Sequence, residues 1–393
     1  MPSFGEFAAP SKIFRDRDVL SPHFVPNTLH FRDHQIRELM SMLAPALQGK
    51  KPRNLMIYGK TGTGKTCSVK HVAKKFEEEK PNARIIYVNC RMYNKPYRIL
   101  SKAIKSLTDG VDKQGYGLPF YYESMLKWCG EGRQLILVLD EIDMAKNIDE
   151  LIYTLTRAND ELEKGGVSLI GISNRLRFKE ELDPRSKSSL YEREMLFPPY
   201  TAPQLQKILQ QRAEMAFKDN AISAGAINLA SAFTAQDSGD ARYALKLLSR
   251  AAELAEERSL SRISDSEVKE ARDFVETDLV KEAVDKLPEH LQLVLYAVAR
   301  LTLSGSRYAR FEEGKDGYLF SGDVYEDYAE LCSKLGKQSK TARSYRSYLG
   351  DLEMLGLVTT VESGKGIRGH TKLIKLGHTP QETVSMMKQK FGE

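Results

Sequence analysis

The stretch NLMIYGKTGTGKT, residues 54–66, joins a short apolar run to a glycine-rich loop. Residues 59–66 fit the pattern G-x-x-x-x-G-K-[ST], whose backbone amides and following helix N-terminus surround phosphate oxygens. Lys65 is expected to reach the β- and γ-phosphates of ATP, and the Thr66 hydroxyl to bind Mg²⁺. An incidental glycine-rich turn is disfavoured, because the loop lies between a predicted strand and a predicted helix. The predicted nucleotide-binding residues of the loop are Gly59, Gly62, Thr63, Gly64, Lys65 and Thr66.

A second apolar run, LILVL at residues 135–139, is followed by three acids within four residues. A carboxylate at the C-terminal end of a buried strand faces the ligand crevice of an open α/β sheet. We therefore expect Asp140 to hold the water shell of Mg²⁺ and Glu141 to orient or deprotonate the attacking water. Asp143 is expected to cap a helix. An ordinary solvated acidic loop is the alternative, and the nearby phosphate loop argues against it.

Asn174 ends another apolar run, SLIGISN at residues 168–174. Its amide is placed to hydrogen-bond the γ-phosphate or the attacking water. Asparagine is also a common turn residue at the end of a strand, so both interpretations stay open.

Apolar runs of strand length alternate with helical patterns in the first half of the chain. The predicted strands cover residues 54–58, 84–90, 135–139 and 167–172, and helices are predicted at 65–79 and 96–107. Runs that are apolar on both faces and separated by amphipathic helices are typical of a parallel sheet covered on both sides. The first half is therefore predicted to have an α/β fold.

After the two prolines at 198–199 the pattern changes to purely helical periodicity, over residues 202–274. Beyond residue 278, helices are predicted at 287–302, 321–335 and 339–355, followed by apolar runs at 357–361 and 373–376 around a glycine-rich turn. Helices followed by a short hairpin are typical of a winged helix. The predicted divisions are an N-terminal extension at 1–25, a nucleotide-binding domain at 26–200, a helical lid at 201–277 and a winged-helix domain at 278–393.

Composition sets limits but does not decide the function. The 393 residues are 41% hydrophobic and 28% charged, with a net charge of +6 that is too small to indicate a nucleic-acid partner by itself. The four cysteines form no C-x-x-C pair, so neither a zinc site nor a disulfide framework is indicated. The first residues do not show a charged segment followed by an apolar stretch, and no apolar run reaches bilayer length, so we expect a cytoplasmic protein without a membrane partner.

The last segment carries a local concentration of positive charge, although its seventeen lysines and arginines nearly balance sixteen acids over residues 278–393. Five cations recur at intervals of three with no acid between them: Lys334, Lys337, Lys340, Arg343 and Arg346. On a helix this spacing places several of them on one side. Three more lie in or beside the glycine-rich turn: Lys365, Arg368 and Lys372. A basic helix and a basic wing suit duplex DNA, whereas a solvated helix and a plain glycine turn are the alternative.

Longer strings carry a family resemblance over nearly the whole chain. They are KIFRDRDVLSPHFVPNTLHFRDHQI (12–36), VNCRMYNKPYRI (88–99), LIGISNRLRFKEELDPRSKSSL (169–190), FPPYTAPQLQKIL (197–209), GDARYALKLLSRAAELAE (239–256) and LGDLEMLGLV (349–358). With the phosphate loop and LVLDEID at 137–143, they resemble archaeal origin-recognition/cell-division-control replication initiators, which are AAA+ ATPases. The resemblance implies a three-layer αβα AAA+ domain with a parallel sheet, a helical lid and a C-terminal winged-helix domain.

The same resemblance implies roles for single residues. Arg242 matches the lid arginine that contacts the γ-phosphate, and Tyr200 and Arg212 match positions that close around the nucleotide. Arg185 matches an arginine finger that acts on the ATP of a neighbouring subunit. Interdomain packing for Tyr200, a solvated position for Arg212 and a local carboxylate partner for Arg185 are the alternatives.

The family has a DNA-contacting inserted helix where residues 108–122 interrupt the strand–helix rhythm here. Lys113 and Tyr116 are therefore further DNA candidates. One motif departs from the family pattern, because its usual Leu-Pro-His-Arg-Glu reads LHFRD at residues 29–33.

The function implied by the resemblance is that of a chromosome-associated replication initiator. It would bind duplex origin DNA under control of ATP, ADP and Mg²⁺, hydrolyse ATP slowly as a switch, and help recruit or load the replicative minichromosome-maintenance helicase, alongside other initiator paralogues. Two other classes compete with it. One is a signalling or transcription-regulating P-loop ATPase with a protein-binding winged helix, and the other is a loader-type AAA+ ATPase without origin specificity.

Overall fold

The computed structural model describes residues 11–79, 81–108, 116–304, 318–362 and 372–392. Three predicted DNA contacts, Lys113, Lys365 and Arg368, lie outside the described residues. Contacts divide the chain into two compact units, Met1–Ala271 and Arg272–Glu393.

The first unit is built on a five-stranded parallel sheet, which confirms the predicted α/β fold. Its strands are β1 (Leu55–Tyr58), β2 (Ala83–Asn89), β3 (Gln134–Asp140), β4 (Gly166–Ser173) and β5 (Arg193–Leu196), in the order β2-β3-β4-β1-β5. The register pairs Tyr58 with Ser173 and Asp140 with Ile172. The C-terminal ends of β1, β3 and β4 therefore lie side by side, and the loops that follow them share one edge of the sheet.

Helices cover both faces of this sheet and complete three layers. The covering helices are α1 (Asp33–Leu47), α2 (Lys65–Glu78), α3 (Pro96–Lys105), α4 (Leu118–Gly130) and α5 (Ile148–Glu161). Every residue of β3 is buried: Ile136 and Val138 pack in the core with α1 and α2, and Leu137 and Leu139 in the core with α3 to α5. Burial on both faces explains why β3 reads as a continuous apolar run.

Two elements of this unit differ from the sequence prediction. Periodicity did not predict α4, which begins at Leu118 within the interruption expected at 108–122, adds a second helix between β2 and β3, and buries Tyr121, Met125 and Trp128. The edge strand β5 was not predicted, because its four residues include Arg193 and Glu194 and give little apolar signal. Two short helices, α6 (Phe178–Glu181) and α7 (Pro184–Leu190), precede β5.

The helical region predicted after residue 202 is confirmed. It contains α8 (Ala202–Ala216), α9 (Ala224–Asp237), α10 (Ala241–Glu257) and α11 (Asp265–Asp285), and the boundary between the two units falls within α11. The described part of the N-terminal extension packs against α8, with Ile13 and Phe14 buried and the Arg15 amide donating to the Ala216 carbonyl at 2.8 Å.

The second unit has the predicted winged-helix arrangement. Its further elements are α12 (Glu289–Ser304), β6 (Leu319–Phe320), α13 (Ser321–Lys334), α14 (Ala342–Met354), β7 (Val358–Glu362), β8 (Lys372–Leu376) and α15 (Pro380–Phe391). The strands form an antiparallel sheet in the order β6-β8-β7, and the core contains Tyr296, Tyr328, Leu349 and Ile374. None of the helices in the described ranges is long and apolar enough to cross a membrane.

The helix predicted at 339–355 begins three residues later than expected, which leaves only two of the five regularly spaced cations on it. Thr341 caps α14 by accepting from the Ser344 amide, so the helix begins at Ala342 and carries only Arg343 and Arg346 of the five. Lys334 is the last residue of α13, and Lys337 and Lys340 lie in the turn between the helices. The break has a local cause, because threonine caps a helix well and Gly336 takes a positive φ of 65° in that turn.

Candidate nucleotide site

The phosphate loop joins β1 to α2 and has left-handed backbone at Gly62 (φ 64°) and Gly64 (φ 88°). Lys65 is 5% exposed, and its ammonium donates to the carbonyls of Gly59 and Lys60 at 2.8 and 2.7 Å. Burial lowers the pKa of Lys65 to about 8, and the nearby Asp140 carboxylate opposes that shift. A buried cation held by loop carbonyls is suited to turn toward phosphate oxygens once they enter the loop.

Asp140 at the end of β3 accepts two side-chain hydrogen bonds on one carboxylate oxygen. Thr66 Oγ1 donates to its Oδ2 at 2.8 Å, and the Tyr87 hydroxyl from β2 donates to the same atom. Burial and this bond to Asp140 raise the pKa of Tyr87, which keeps its hydroxyl a donor. Sequence reasoning missed Tyr87, although a tyrosine near the end of a buried strand was a signal that its hydroxyl needs a partner.

The hydroxyl and carboxylate at this point fit Mg²⁺. Oxygen ligands are what this ion prefers, and it usually takes one or two protein ligands while water and substrate phosphates supply the rest. In the described ranges no cluster of three or more His, Cys, Asp or Glu side chains could hold a metal by itself. Thr66 and Asp140 are thus a sparse oxygen pair, which suits an ion that arrives with a nucleotide.

The turn after β3 orders the remaining acids. Glu141 has φ 52°, an unusual left-handed conformation for a non-glycine residue, and its amide donates to Asp140 Oδ1 at 3.0 Å. Asp143 lies within a short 3-10 helix at Ile142–Met144 and accepts from the buried Ser173 hydroxyl at 2.7 Å. Asp143 is therefore not the helix cap that the sequence predicted. Its bond instead ties this turn to the end of β4, beside Asn174.

The lid contacts the phosphate loop directly. The Ala241 amide donates to the Gly62 carbonyl at 3.2 Å, and a Cβ on Gly62 would lie 1.5 Å from Asp240 Oδ1. Asp240 also caps α10 by accepting from the Arg242 amide at 2.7 Å. The first turn of α10, which carries Arg242, is thereby held against the loop, and the Arg242 charge contributes to the lowered pKa of Lys65.

Arg212 and Tyr200 are both buried. Arg212 is 6% exposed and donates to the carbonyls of Val19 and Phe24 at 2.9 and 3.1 Å. A solvated position for Arg212 is therefore wrong, because the side chain fastens the N-terminal segment to α8. Tyr200 is 7% exposed, and its hydroxyl lies against Gly64.

A cavity of about 260 Å³ lies among these groups, between the phosphate loop, the N-terminal segment and the lid. Eleven of the predicted site residues line it: Gly62, Thr63, Gly64, Lys65, Thr66, Asp140, Glu141, Asn174, Tyr200, Arg212 and Arg242. Two others do not. Gly59 lies against the Phe197 carbonyl oxygen, which would be 2.4 Å from a Cβ at this position. Arg185 is exposed in the first turn of α7, the helix that Asp183 caps.

The remaining predicted DNA contacts are exposed, and three of them cluster at the start of α14. Lys340, Arg343 and Arg346 form no ion pair with any other residue that the structure describes. Lys372 opens β8, opposite Glu362. Tyr116 stacks on Phe120 with ring centroids 3.8 Å apart, in the segment that leads into α4.

Comparison with known proteins gives matches along nearly the whole chain. Family profiles match as "AAA domain" at residues 47–178, "Cdc6 AAA+ ATPase-type lid domain" at 206–273 and "CDC6, C terminal winged helix domain" at 282–386. The ORC1-type DNA replication protein 1 of Sulfurisphaera tokodaii is 40% identical over 384 residues, covering 97% of this chain and 94% of that protein. Its counterpart from Archaeoglobus fulgidus is 39% identical, with coverage of 95% and 90%.

A solved structure gives the same result. The Aeropyrum pernix ORC1 protein in complex with DNA matches with a TM-score of 0.81 and 39% identity, over 97% of this chain and 98% of that one.

Proposed function

The chain belongs to the ORC1/Cdc6 family of AAA+ DNA replication proteins, and on that premise we propose that it is an initiator that binds duplex origin DNA under nucleotide control. The observation that carries the proposal is the full-length likeness, at 39% identity, to an ORC1 protein whose structure was solved with DNA. The cavity between phosphate loop and lid supplies a place where ATP and ADP are distinguished, since Arg242 approaches it from the lid.

The site residues suit slow ATP hydrolysis. The loop amides and Lys65 would bind the phosphates, and Thr66 and Asp140 would hold Mg²⁺, which neutralises charge on the phosphates when bound. Glu141 would orient or deprotonate the attacking water, and Asn174 and Arg242 would contact the γ-phosphate. Arg185 lies outside the cavity lining among the described residues, so its proposed role as an arginine finger would be on the ATP of a neighbouring subunit. Slow turnover suits a switch.

DNA would be bound by the winged helix. Arg343 and Arg346 are exposed in the first half of α14, with Lys340 just before it and Lys372 at the base of the wing. Positive side chains at the start of a helix can contact phosphates while the helix enters the major groove. Recruitment of the replicative minichromosome-maintenance helicase, and cooperation with other initiator paralogues, are proposed from the family alone.

The test begins by crosslinking the protein to its own chromosome and footprinting the recovered fragments. Binding of the footprinted duplex is then compared with a shuffled duplex of equal length at several salt concentrations. An initiator is expected to prefer the footprinted sequence by about 10³-fold or more. Equal affinity for both duplexes would indicate a loader without origin specificity, and no affinity for either would indicate a protein-binding winged helix.

A further inference from the structure

Arg32 is a buried arginine at the start of α1 whose side chain bonds two separate parts of the nucleotide domain. It is 2% exposed; its Nε donates to the Thr63 carbonyl at 2.9 Å and its Nη2 to the Pro198 carbonyl at 2.7 Å. Its guanidinium carbon lies 4.0 Å from the centroid of the Tyr200 ring. One side chain thus joins the phosphate loop to the segment that enters the lid.

The partners of Arg32 lead on to the lid. Tyr200 lies two residues before α8 and donates its amide to the Gly239 carbonyl at 3.2 Å. Gly239 precedes α10, whose first turn carries Arg242. The Tyr200 hydroxyl also meets the phosphate loop, because a Cβ on Gly64 would lie 2.7 Å from it. A continuous series of contacts therefore runs from the phosphate loop through Arg32 and Tyr200 to the lid arginine.

We propose that Arg32 is a positioning residue that couples occupancy of the phosphate loop to the position of the lid. This inference rests on the proposed nucleotide-controlled function. Bound phosphates would fix the position of the Thr63 carbonyl and, through its hydrogen bond, that of the Arg32 side chain. Arg32 would in turn fix Pro198 and Tyr200, which lead into α8 and contact the turn before α10.

The charge on Arg32 supports the same role. Among the residues that the structure describes, no carboxylate pairs with Arg32, and the partners of the buried cation are carbonyl oxygens, aromatic faces and the Tyr200 hydroxyl. A buried charge without an ionised partner is unfavourable, and anionic phosphates bound nearby would offset that cost. A Cβ built on Gly64 would lie 3.7 Å from Arg32 Nε, so the guanidinium lies close to the backbone of the phosphate loop.

Arginine is suited to these contacts in a way that lysine is not. The planar guanidinium offers donors in fixed, divergent directions together with a flat face for an aromatic ring. A lysine ammonium has the charge but cannot make both carbonyl bonds and the stack on Tyr200 at once. Arg32→Lys therefore keeps the positive charge and removes the set of simultaneous contacts.

Amide hydrogen exchange, with and without saturating ADP, tests the proposal in wild type, Arg32→Lys, Arg32→Met and the control Arg37→Met. Arg37 lies on α1, is exposed and, within the described part of the chain, donates only to its own helix through the Asp33 carbonyl at 3.3 Å. In wild type and the control, ADP is expected to slow exchange about tenfold or more in peptides covering residues 198–205 and 239–245. The Arg32 variants are expected to bind ADP but to lose most of that slowing, even at saturation.

Retention of the full ADP effect in a folded Arg32→Lys or Arg32→Met variant would overturn the proposal. Absence of the effect in wild type, or failure of both variants to fold, would overturn it too, because Arg32 would then have no coupling role or a purely structural one. Failure of the proposed function looks different. In that case the wild-type chain would not bind ADP, or would bind footprinted duplex equally well with and without nucleotide.

Discussion

At the scale of single residues, the nucleotide site depends on a few buried polar groups, each of which takes part in more than one hydrogen bond. Asp140 Oδ2 accepts from both Thr66 and Tyr87, and the Lys65 ammonium is shared by two loop carbonyls. Such networks hold each side chain in one orientation before a ligand arrives. Changes of a single donor should therefore alter metal and nucleotide binding without disturbing the fold.

Tyr87→Phe removes one donor from Asp140 and leaves the ring in place. The carboxylate would then be oriented only by the Thr66 hydroxyl and the Glu141 amide, and we expect the affinity for Mg²⁺ in the presence of nucleotide to fall by about tenfold, as for other groups that orient a metal ligand. Titrating MgCl₂ against the binding of a fluorescent ATP analogue measures the effect. Tyr122→Phe is the matched control, since its hydroxyl donates to Glu161 at 2.7 Å away from the cavity lining. An unchanged Mg²⁺ titration for Tyr87→Phe would remove its orienting role.

The pKa of Lys65, lowered to about 8 by burial, predicts a pH dependence of ATP binding. Above pH 8 the free protein loses the Lys65 proton, whereas bound phosphates favour the charged form, so binding must take up a proton. Affinity is expected to be flat below pH 8 and to fall by up to about tenfold per pH unit above it. Calorimetry between pH 7 and 9.5 in buffers of different ionisation enthalpy measures both affinity and proton uptake. Lys65→Arg should bind more weakly but without this slope, and a flat wild-type profile would contradict the prediction.

The sequence located the site residues that belong to local motifs and missed those defined by tertiary contacts. The phosphate loop, Asp140 and Glu141 are recognisable because glycines, lysine and acids occur at fixed distances from apolar strands. Arg32 and Tyr87 were missed as site residues because their partners, Pro198 and Asp140, are far away in the chain and become neighbours only when the sheet forms.

At the scale of elements, buried strands were predictable and short or exposed elements were not. β3 and β4 are buried along their whole length, which produces a strong apolar signal. β5 and β6 have four and two residues, and their place in a sheet comes from pairing with β1 and β8. The start of α14 was predicted three residues too early, because the regular spacing of the cations continues across the turn that Thr341 ends as the helix cap.

If α14 is the helix that contacts DNA, cations at its start should contribute more to DNA affinity than those on α13. Arg343→Ala should weaken duplex binding by about tenfold and lower the slope of log affinity against log salt by about one, because one phosphate contact is lost. Lys334→Ala is the matched control, since Lys334 lies on α13 and pairs with Glu330 at 2.8 Å. Fluorescence anisotropy of a labelled duplex at four salt concentrations gives both quantities. Equal effects of the two substitutions would mean that the cations act as a diffuse charge and that α14 has no special position on DNA.

At the scale of the whole molecule, nucleotide state and DNA binding must be linked if the chain is a switch. Linkage is reciprocal, so a nucleotide that changes DNA affinity by some factor has its own affinity changed by DNA by the same factor. Arg242 lines the cavity from the first turn of α10, and the Asp240 cap holds its backbone amide at that end of the helix. The switch therefore predicts a measurable coupling that depends on Arg242.

Arg242→Ala should keep most of the affinity for ADP, which lacks the γ-phosphate, but should abolish the difference in footprinted-duplex affinity between ATP and ADP. In wild type that difference is expected to be about 5- to 100-fold, the usual range of a coupling between two sites. Lys246→Ala, one turn further along α10 and outside the cavity lining, is the control and should preserve the difference. Anisotropy titrations with saturating ATP or ADP, on a Glu141→Gln background that prevents turnover, measure the four affinities. If Arg242→Ala leaves the ATP–ADP difference intact, the lid arginine does not read the γ-phosphate, and nucleotide control must pass through the other contacts between the phosphate loop and the lid, which include those of Arg32 and of the Asp240–Ala241 turn.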